Sequence, residues 1–186
     1  VKDRQYTTQQ NSSIRRSAQT AMKLMIDQLV ILIAPILSFT AEEIWQNDAD
    51  LSANKASVFL AELDSIPDFD SNLDPDSWSR LLEIKDNVNQ KIEESRNSGE
   101  IKGSLDTDIE LTVNTSDFQL LNNLSTELHF FFIVSSCNLV QGDDLEVRIK
   151  QSTFEKCTRC WHRNNSVGKS LKHPELCNRC ELNIDG

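Results

Sequence analysis

Apolar residues recur at helical spacing from Ser13 to about Ala34: Ile14, Ala18, Ala21, Met25, Leu29, Leu32 and Ile33, with Arg15, Arg16, Lys23 and Asp27 between them. The pattern predicts one long amphipathic helix packed in a bundle. Pro35 lacks an amide hydrogen and crowds the preceding turn, so the helix should kink or stop there. A second start follows at once. Thr40 is placed to cap it and Glu43 stands three residues on, the spacing of a capping box, for a helix through Ile44 and Trp45. From Asn47 to Ser77, Asp, Ser and Asn abound together with Pro67 and Pro75, which predicts a loop-rich connector tacked to the bundle by Val58, Phe59 and Leu60. Leu81, Leu82, Ile84, Val88 and Ile92 form the stripe of another helix from Trp78 to about Asn97, stopped by Asn97-Ser98-Gly99.

After Gly99 the period changes. Leu105, Ile109, Leu111 and Val113 read as a strand with partial alternation, and Ser116 to about Glu127 as a short helix. Phe130 to Val140 reads as β-rich, Gly142-Asp143-Asp144 as a turn, and Leu145, Val147 and Ile149 as an alternating strand. The expected fold is therefore a mainly α-helical bundle over 1–98, a small α+β unit over 99–152 and a cysteine-rich module over 153–186.

Charge refines this division. Residues 1–47 carry five Lys/Arg against four Asp/Glu, residues 48–150 eight against twenty-one, and residues 151–186 six against four. The formal net charge of −10 sits in the middle, and the two ends are mildly basic. A strong non-specific nucleic-acid binder is disfavoured, because counterion release needs clustered Lys and Arg; a local contact is permitted. No apolar run approaches the ~18–20 residues that span a bilayer, so no membrane partner is expected. The chain opens Val1-Lys2-Asp3-Arg4, with neither an initiator Met nor an apolar leader, as though cut from a longer protein.

Four of the five cysteines lie in the last thirty residues, as Cys157-Thr-Arg-Cys160 and Cys177-Asn-Arg-Cys180 separated by sixteen residues. A C-x2-C turn aims two sulfurs at one ion, and two such turns close a tetrahedron suited to one structural zinc per chain. Two disulfides or a four-sulfur iron site are the alternatives. Four thiolates leave no open coordination position, so a catalytic zinc is excluded. His162 and His173 are spare donors that the four thiols make unnecessary. Cys137, in an apolar stretch, reads as a small buried hydrophobe.

The tail Lys156-Cys157-Thr158-Arg159-Cys160-Trp161-His162, with Gly168 and His173-Pro174-Glu175-Leu176-Cys177-Asn178-Arg179-Cys180, resembles the C-terminal zinc module of bacterial isoleucyl-tRNA synthetases. Lys2-Asp3-Arg4-Gln5-Tyr6, Arg15-Arg16-Ser17-Ala18-Gln19-Thr20 and Ala34-Pro35-Ile36-Leu37-Ser38-Phe39-Thr40-Ala41-Glu42-Glu43-Ile44-Trp45 resemble that family's helical anticodon-binding domain, and Ile101-Lys102-Gly103-Ser104-Leu105 matches a pattern of the middle region. The stretch around Pro35 is shared with valyl and leucyl enzymes; the cysteine tail selects isoleucyl. The family's HIGH-type and KMSKS-type ATP-binding motifs do not occur, nor does the editing domain. The resemblance implies a cytoplasmic, monomeric enzyme that charges an isoleucine-accepting tRNA using ATP. This chain would supply tRNA grip to the remainder of the synthetase and no catalytic residue.

The resemblance also implies the tRNA contacts. Arg159 and Trp161 match residues near the anticodon end; an indole can stack on an unpaired base and Arg can pair with phosphate or a base edge. The alternative has Trp161 lidding the metal and Arg159 solvated. Arg179 holds the corresponding place in the second knuckle, and Arg4, Arg15 and Arg16 belong to a basic face of the helical part, where a solvated face or an ion pair is the alternative. Trp45 and Trp78 read as core anchors. A free-standing zinc-ribbon adaptor, using its acidic surface or β edge on a protein partner, is the competing function.

Overall fold

A computed structural model describes residues 1–63 and 73–185. It divides into two compact units, Val1–Asp70 and Ser71–Gly186. In the first, α1 (Lys2–Tyr6) and α2 (Ser13–Ile33) precede α3 (Ser38–Asn47) and α4 (Ala49–Asn54), followed by a 3-10 turn at Val58–Leu60. Ser12 caps α2 by accepting from the Arg15 amide (3.3 Å). Pro35 does end that helix, but the restart is earlier than the capping-box reading. α3 begins at Ser38, whose hydroxyl donates back to the Ala34 carbonyl (3.0 Å), leaving Thr40 inside the helix. The connector also holds α4, because Asp48 caps it by accepting from the amides of Asp50 and Leu51. Pro67 lies outside the described residues.

Val30, Ala34, Ala41, Trp45 and Val58 form this unit's core. The Trp45 indole N–H donates to the Lys55 carbonyl (2.8 Å), satisfying its one polar atom while the rings are buried. Lys23 joins Asp27 (2.6 Å) and Asp48 (3.0 Å), tying α2 to the start of α4. The buried face of α2 differs from the expected stripe. Met25, Leu29 and Leu32 are exposed, and Val30 is buried. Neighbouring helix positions point about 100° apart, so packing along the Val30–Ala34 edge turns Leu29 out.

The second unit starts with α5 (Pro75–Asn97). Pro75 belongs to its first turn, where a missing N–H costs nothing, and Asp74 caps it by accepting from the Ser77 amide (2.7 Å). Leu81, Ile84, Val88 and Ile92 are buried; Leu82 and Trp78 are exposed, against expectation. Gly99 ends the helix at φ +81, as the stop signal required. Next come β1 (Thr107–Val113), α6 (Thr115–Asn122), α7 (Leu128–Phe132), β2 (Ser136–Gln141) and β3 (Glu146–Gln151). The sheet order is β2-β1-β3, with β1 parallel to β2 and antiparallel to β3. Along β1, Thr107, Ile109, Leu111 and Val113 alternate inward and pack with the α5 stripe, Leu121, Phe132 and Val134 in one core. Leu105 sits in a 3-10 turn before the strand. The Phe130–Val134 run also departs from expectation. It is helical to Phe132 and then turns at Ile133, a β-branched residue in the left-handed region (φ 59). An apolar run this short carries no periodicity to separate helix from strand. Beyond β3 the tail folds around its cysteines and ends in α8 (Asn178–Asp185).

Arg80 on α5 grips α6. Its Nε and Nη2 donate to the two Asp117 carboxylate oxygens (2.9 and 2.8 Å), and Asn114 donates to the same carboxylate (3.1 Å). These hydrogen bonds, Arg80 first, outweigh burial and hold the Asp117 carboxyl below the ordinary carboxylate range. Cys137 on β2 is packed against the core, and burial pushes its thiol up to about 12, so it is inert there.

Candidate metal centre and nucleic-acid interface

The two cysteine pairs meet. Cys157, Cys160, Cys177 and Cys180 are all buried, and their sulfurs lie within 4.8 Å of one another. The sulfurs of Cys160 and Cys177 are 3.8 Å apart. A tetrahedron of thiolates at the usual zinc–sulfur distance has an edge of about 3.8 Å, so the spacing fits zinc and is far too long for a disulfide. All four thiols are free. Backbone turns build each knuckle. The Trp161 amide donates to the Cys157 carbonyl (2.9 Å), the Cys157 amide to the His162 carbonyl (3.0 Å) and the Glu181 amide to the Cys177 carbonyl (3.0 Å). The Cys177 amide also donates to the Cys157 sulfur (3.3 Å), a bond that favours the thiolate.

Thiol electrostatics point the same way. Hydrogen bonds from Cys177 and Cys180 hold Cys160 far below the ordinary thiol range, despite burial. The contact with Cys160 pushes Cys177 up to about 11, and contacts with Cys160 and Cys177 drive Cys180 far higher. Among these three, one thiolate is favoured and the others are resisted, the behaviour of thiols crowded together without a cation between them. Beyond the cysteines, only Leu176 and Val167 among the described residues contribute to this small core. Metal binding must therefore supply most of its folding free energy, on the order of 10 kcal/mol. Neither histidine joins the sulfur cluster. His162 is buried, with Nδ1 at 3.1 Å from the Cys160 carbonyl oxygen.

Arg159 is half-buried and its Nη1 donates to the Cys180 carbonyl (3.2 Å), so it laces the first knuckle to the second and is not simply solvated. Trp161 is 60% exposed, with Lys156 Nζ 5.1 Å from its ring centroid. Most of its indole is therefore open to solvent. Its backbone lies at φ 68, in the left-handed region that glycine tolerates and a bulky side chain resists. Arg179, on the first turn of α8, sits 4.9 Å over the Phe130 ring.

Arg4, Arg15 and Arg16 belong to the first unit. Thr8 links two of them: its hydroxyl donates to the Arg4 carbonyl (2.6 Å), and its carbonyl accepts from Arg15 Nη1 (3.5 Å). Arg16 is exposed on α2.

Sequence reasoning missed the residues that seat the knuckles on the sheet unit. Arg163 donates from its amide to the Ser135 hydroxyl (2.7 Å), from Nε to Asp106 (2.7 Å) and from Nη1 to the Phe154 carbonyl (2.9 Å). His162 packs edge-on against His129 and Phe130, with centroids 5.8 and 5.5 Å away. No local pattern announces Arg163, because its carboxylate partner lies 57 residues upstream.

The chain matches known families in two segments. Residues 1–111 match the anticodon-binding domain of tRNA ligase, and residues 154–183 match a zinc finger found in FPG and IleRS. Over its full length the chain is 41% identical to the isoleucine--tRNA ligase of Teredinibacter turnerae, and 40% identical to those of Saccharophagus degradans and Legionella pneumophila. It spans about a fifth of each relative's length (21%). The zinc-finger match and the four clustered thiols agree on one structural zinc. With the anticodon-binding match covering more than half of its residues, the chain belongs to the tRNA ligase anticodon-binding family.

Proposed function

We propose that this chain is the tRNA-gripping part of an isoleucyl-tRNA synthetase, which attaches isoleucine to its tRNA with ATP in the cytoplasm, acting as a monomer. Residues 1–98 form its helical anticodon-binding part, although the last helix of that span, α5, packs on the sheet, 99–152 a junction and 153–186 a zinc module ligated by Cys157, Cys160, Cys177 and Cys180. Arg159, Trp161 and Arg179 face the tRNA from the zinc module, and Arg4, Arg15 and Arg16 from the helices. The observation that carries this reading is Trp161, a large indole kept exposed at a backbone position that costs free energy for any residue but glycine. The one cation–π contact with Lys156 is a small return for that choice, whereas stacking on an unpaired base is a larger one. A free-standing adaptor has weaker support, since relatives that share the whole chain are isoleucine--tRNA ligases.

Deleting the segment from the longer enzyme tests the proposal. ATP–pyrophosphate exchange with isoleucine should persist and tRNA charging should collapse. The isolated chain should show no exchange, since the ATP-binding motifs do not occur in it. Undiminished charging by the deleted enzyme would overturn the assignment.

A further inference from the structure

Between α7 and the zinc module lies an open cleft of about 340 Å³, lined among others by His129, His162, Asn164, Asn165, Asn178 and Arg179. Its volume suits one nucleotide-sized ligand. Three observations describe what it accepts. First, none of its lining residues is Asp or Glu, although the chain carries 29 acidic residues against 19 basic ones. Second, its rim is built from amides. Asn164 is occupied, its Oδ1 accepting from the Ser166 amide (2.9 Å) and hydroxyl (2.7 Å), which fixes the loop. The side-chain amides of Asn165 and Asn178 make no hydrogen bond among the described residues, so each offers a donor and an acceptor outward. Third, two imidazoles line it: His129 and His162 form a ring cluster with Phe130 behind them, and the Arg179 guanidinium, also in the lining, is held over Phe130 at 4.9 Å.

Amides matched to base edges, a π surface and one guanidinium are the elements by which proteins hold an unpaired RNA nucleotide. We propose that this cleft receives a single splayed-out nucleotide of the tRNA, its base edge hydrogen-bonded by Asn165 and Asn178 and its phosphate paired with Arg179. The proposal rests on the tRNA-binding reading above and adds to it a second contact point, since Trp161 does not line the cleft. Charge sets the ligand's orientation. Cys160 and Cys177 form part of the wall, and metal-bound thiolates repel an anion, so the neutral base faces the knuckles and the phosphate stays at Arg179.

The test uses the zinc-loaded chain, an anticodon stem-loop RNA at low salt, and the same RNA made abasic at each loop position in turn. The Asn165→Ala/Asn178→Ala double variant should keep its zinc, because both side chains are exposed, and should bind the intact RNA roughly tenfold more weakly. At one loop position the abasic RNA should bind wild type and double variant alike, because the reader and the base it reads are then both missing. Wild-type affinity in the double variant, with Trp161→Ala still weakened, would overturn the cleft and leave the tRNA reading standing. An equal deficit on every abasic RNA would also overturn it. Failure of the wild-type chain to bind the RNA at all would overturn both.

Discussion

Trp161 separates a packing role from a binding role with two substitutions at one position. Trp161→Ala and Trp161→Gly both remove the indole, and with it the Lys156 cation–π contact, worth about 0.5–1 kcal/mol at an exposed site. They differ in the backbone. At φ 68 an alanine Cβ remains strained and glycine is not. The glycine variant should therefore be the more stable of the two by about 1 kcal/mol. Folding of the module is coupled to its metal, so this difference should appear as roughly fivefold tighter zinc binding by Trp161→Gly than by Trp161→Ala, read by chelator competition. RNA binding should not follow that order. Both variants lose one stacking contact, worth about 1–3 kcal/mol, so both should bind tRNA roughly ten- to a hundredfold more weakly. In the longer enzyme both should leave isoleucine activation unchanged. If zinc-loaded Trp161→Ala charged tRNA at wild-type efficiency, Trp161 would be a packing residue. Equal zinc affinity in the two variants would refute the strain argument.

Cys160→Ser should abolish stoichiometric zinc, measured by elemental analysis, and unfold the chain from about Glu155 onward. The sheet core should survive, because the cysteine cluster and the Leu81–Val134 cluster are separate, and amide hydrogen exchange would resolve the two regions. Asp117→Asn should cost about 1–3 kcal/mol at pH 7 in urea unfolding, since the carboxylate is buried against a bidentate Arg80. Because the folded-state pKa of Asp117 is depressed, its contribution is present above the unfolded value of about 4 and is lost as pH falls through the folded value. The gap between wild type and Asp117→Asn should therefore hold near neutral pH and close progressively below about pH 4. A gap independent of pH would mean that the Asp117 charge contributes nothing.

What could be read from the chain alone, and what could not, follows from how far each feature reaches. The metal site was legible because two C-x2-C turns encode their own geometry: whichever way the rest folds, each pair aims two sulfurs together, and only the meeting of the pairs needed the fold. Long helices were legible for the same local reason, and Gly99 marked its stop because the left-handed turn is a property of one residue. The face of α2 was not legible, since periodicity gives a stripe and the partner selects its edge; Val30 won the core through Trp45 and Val58, which come later in the chain. α7 was lost because five apolar-rich residues hold too few turns to show a period.

The largest gap was the seating of the zinc module on the sheet, and there the deciding contacts are all long-range. Arg163 reads in sequence as one more cation in a mildly basic tail. In the fold it closes on Asp106 and Ser135 and takes no part in the metal site. Its effect is indirect but specific. By fixing the first knuckle against the residues that flank β1 and α7, it brings His129, a residue with no sequence signal of function, and His162 into a cleft with Asn165, Asn178 and Arg179. A tail of thirty residues stapled by one metal would otherwise present its arginines and its indole on a module free to reorient, and each RNA contact would carry the entropy of ordering it. On the proposed tRNA reading, Trp161, Arg159 and Arg179 all belong to the docked module, so the zinc would contribute to binding by holding the knuckles and Arg163 by seating them on the sheet unit.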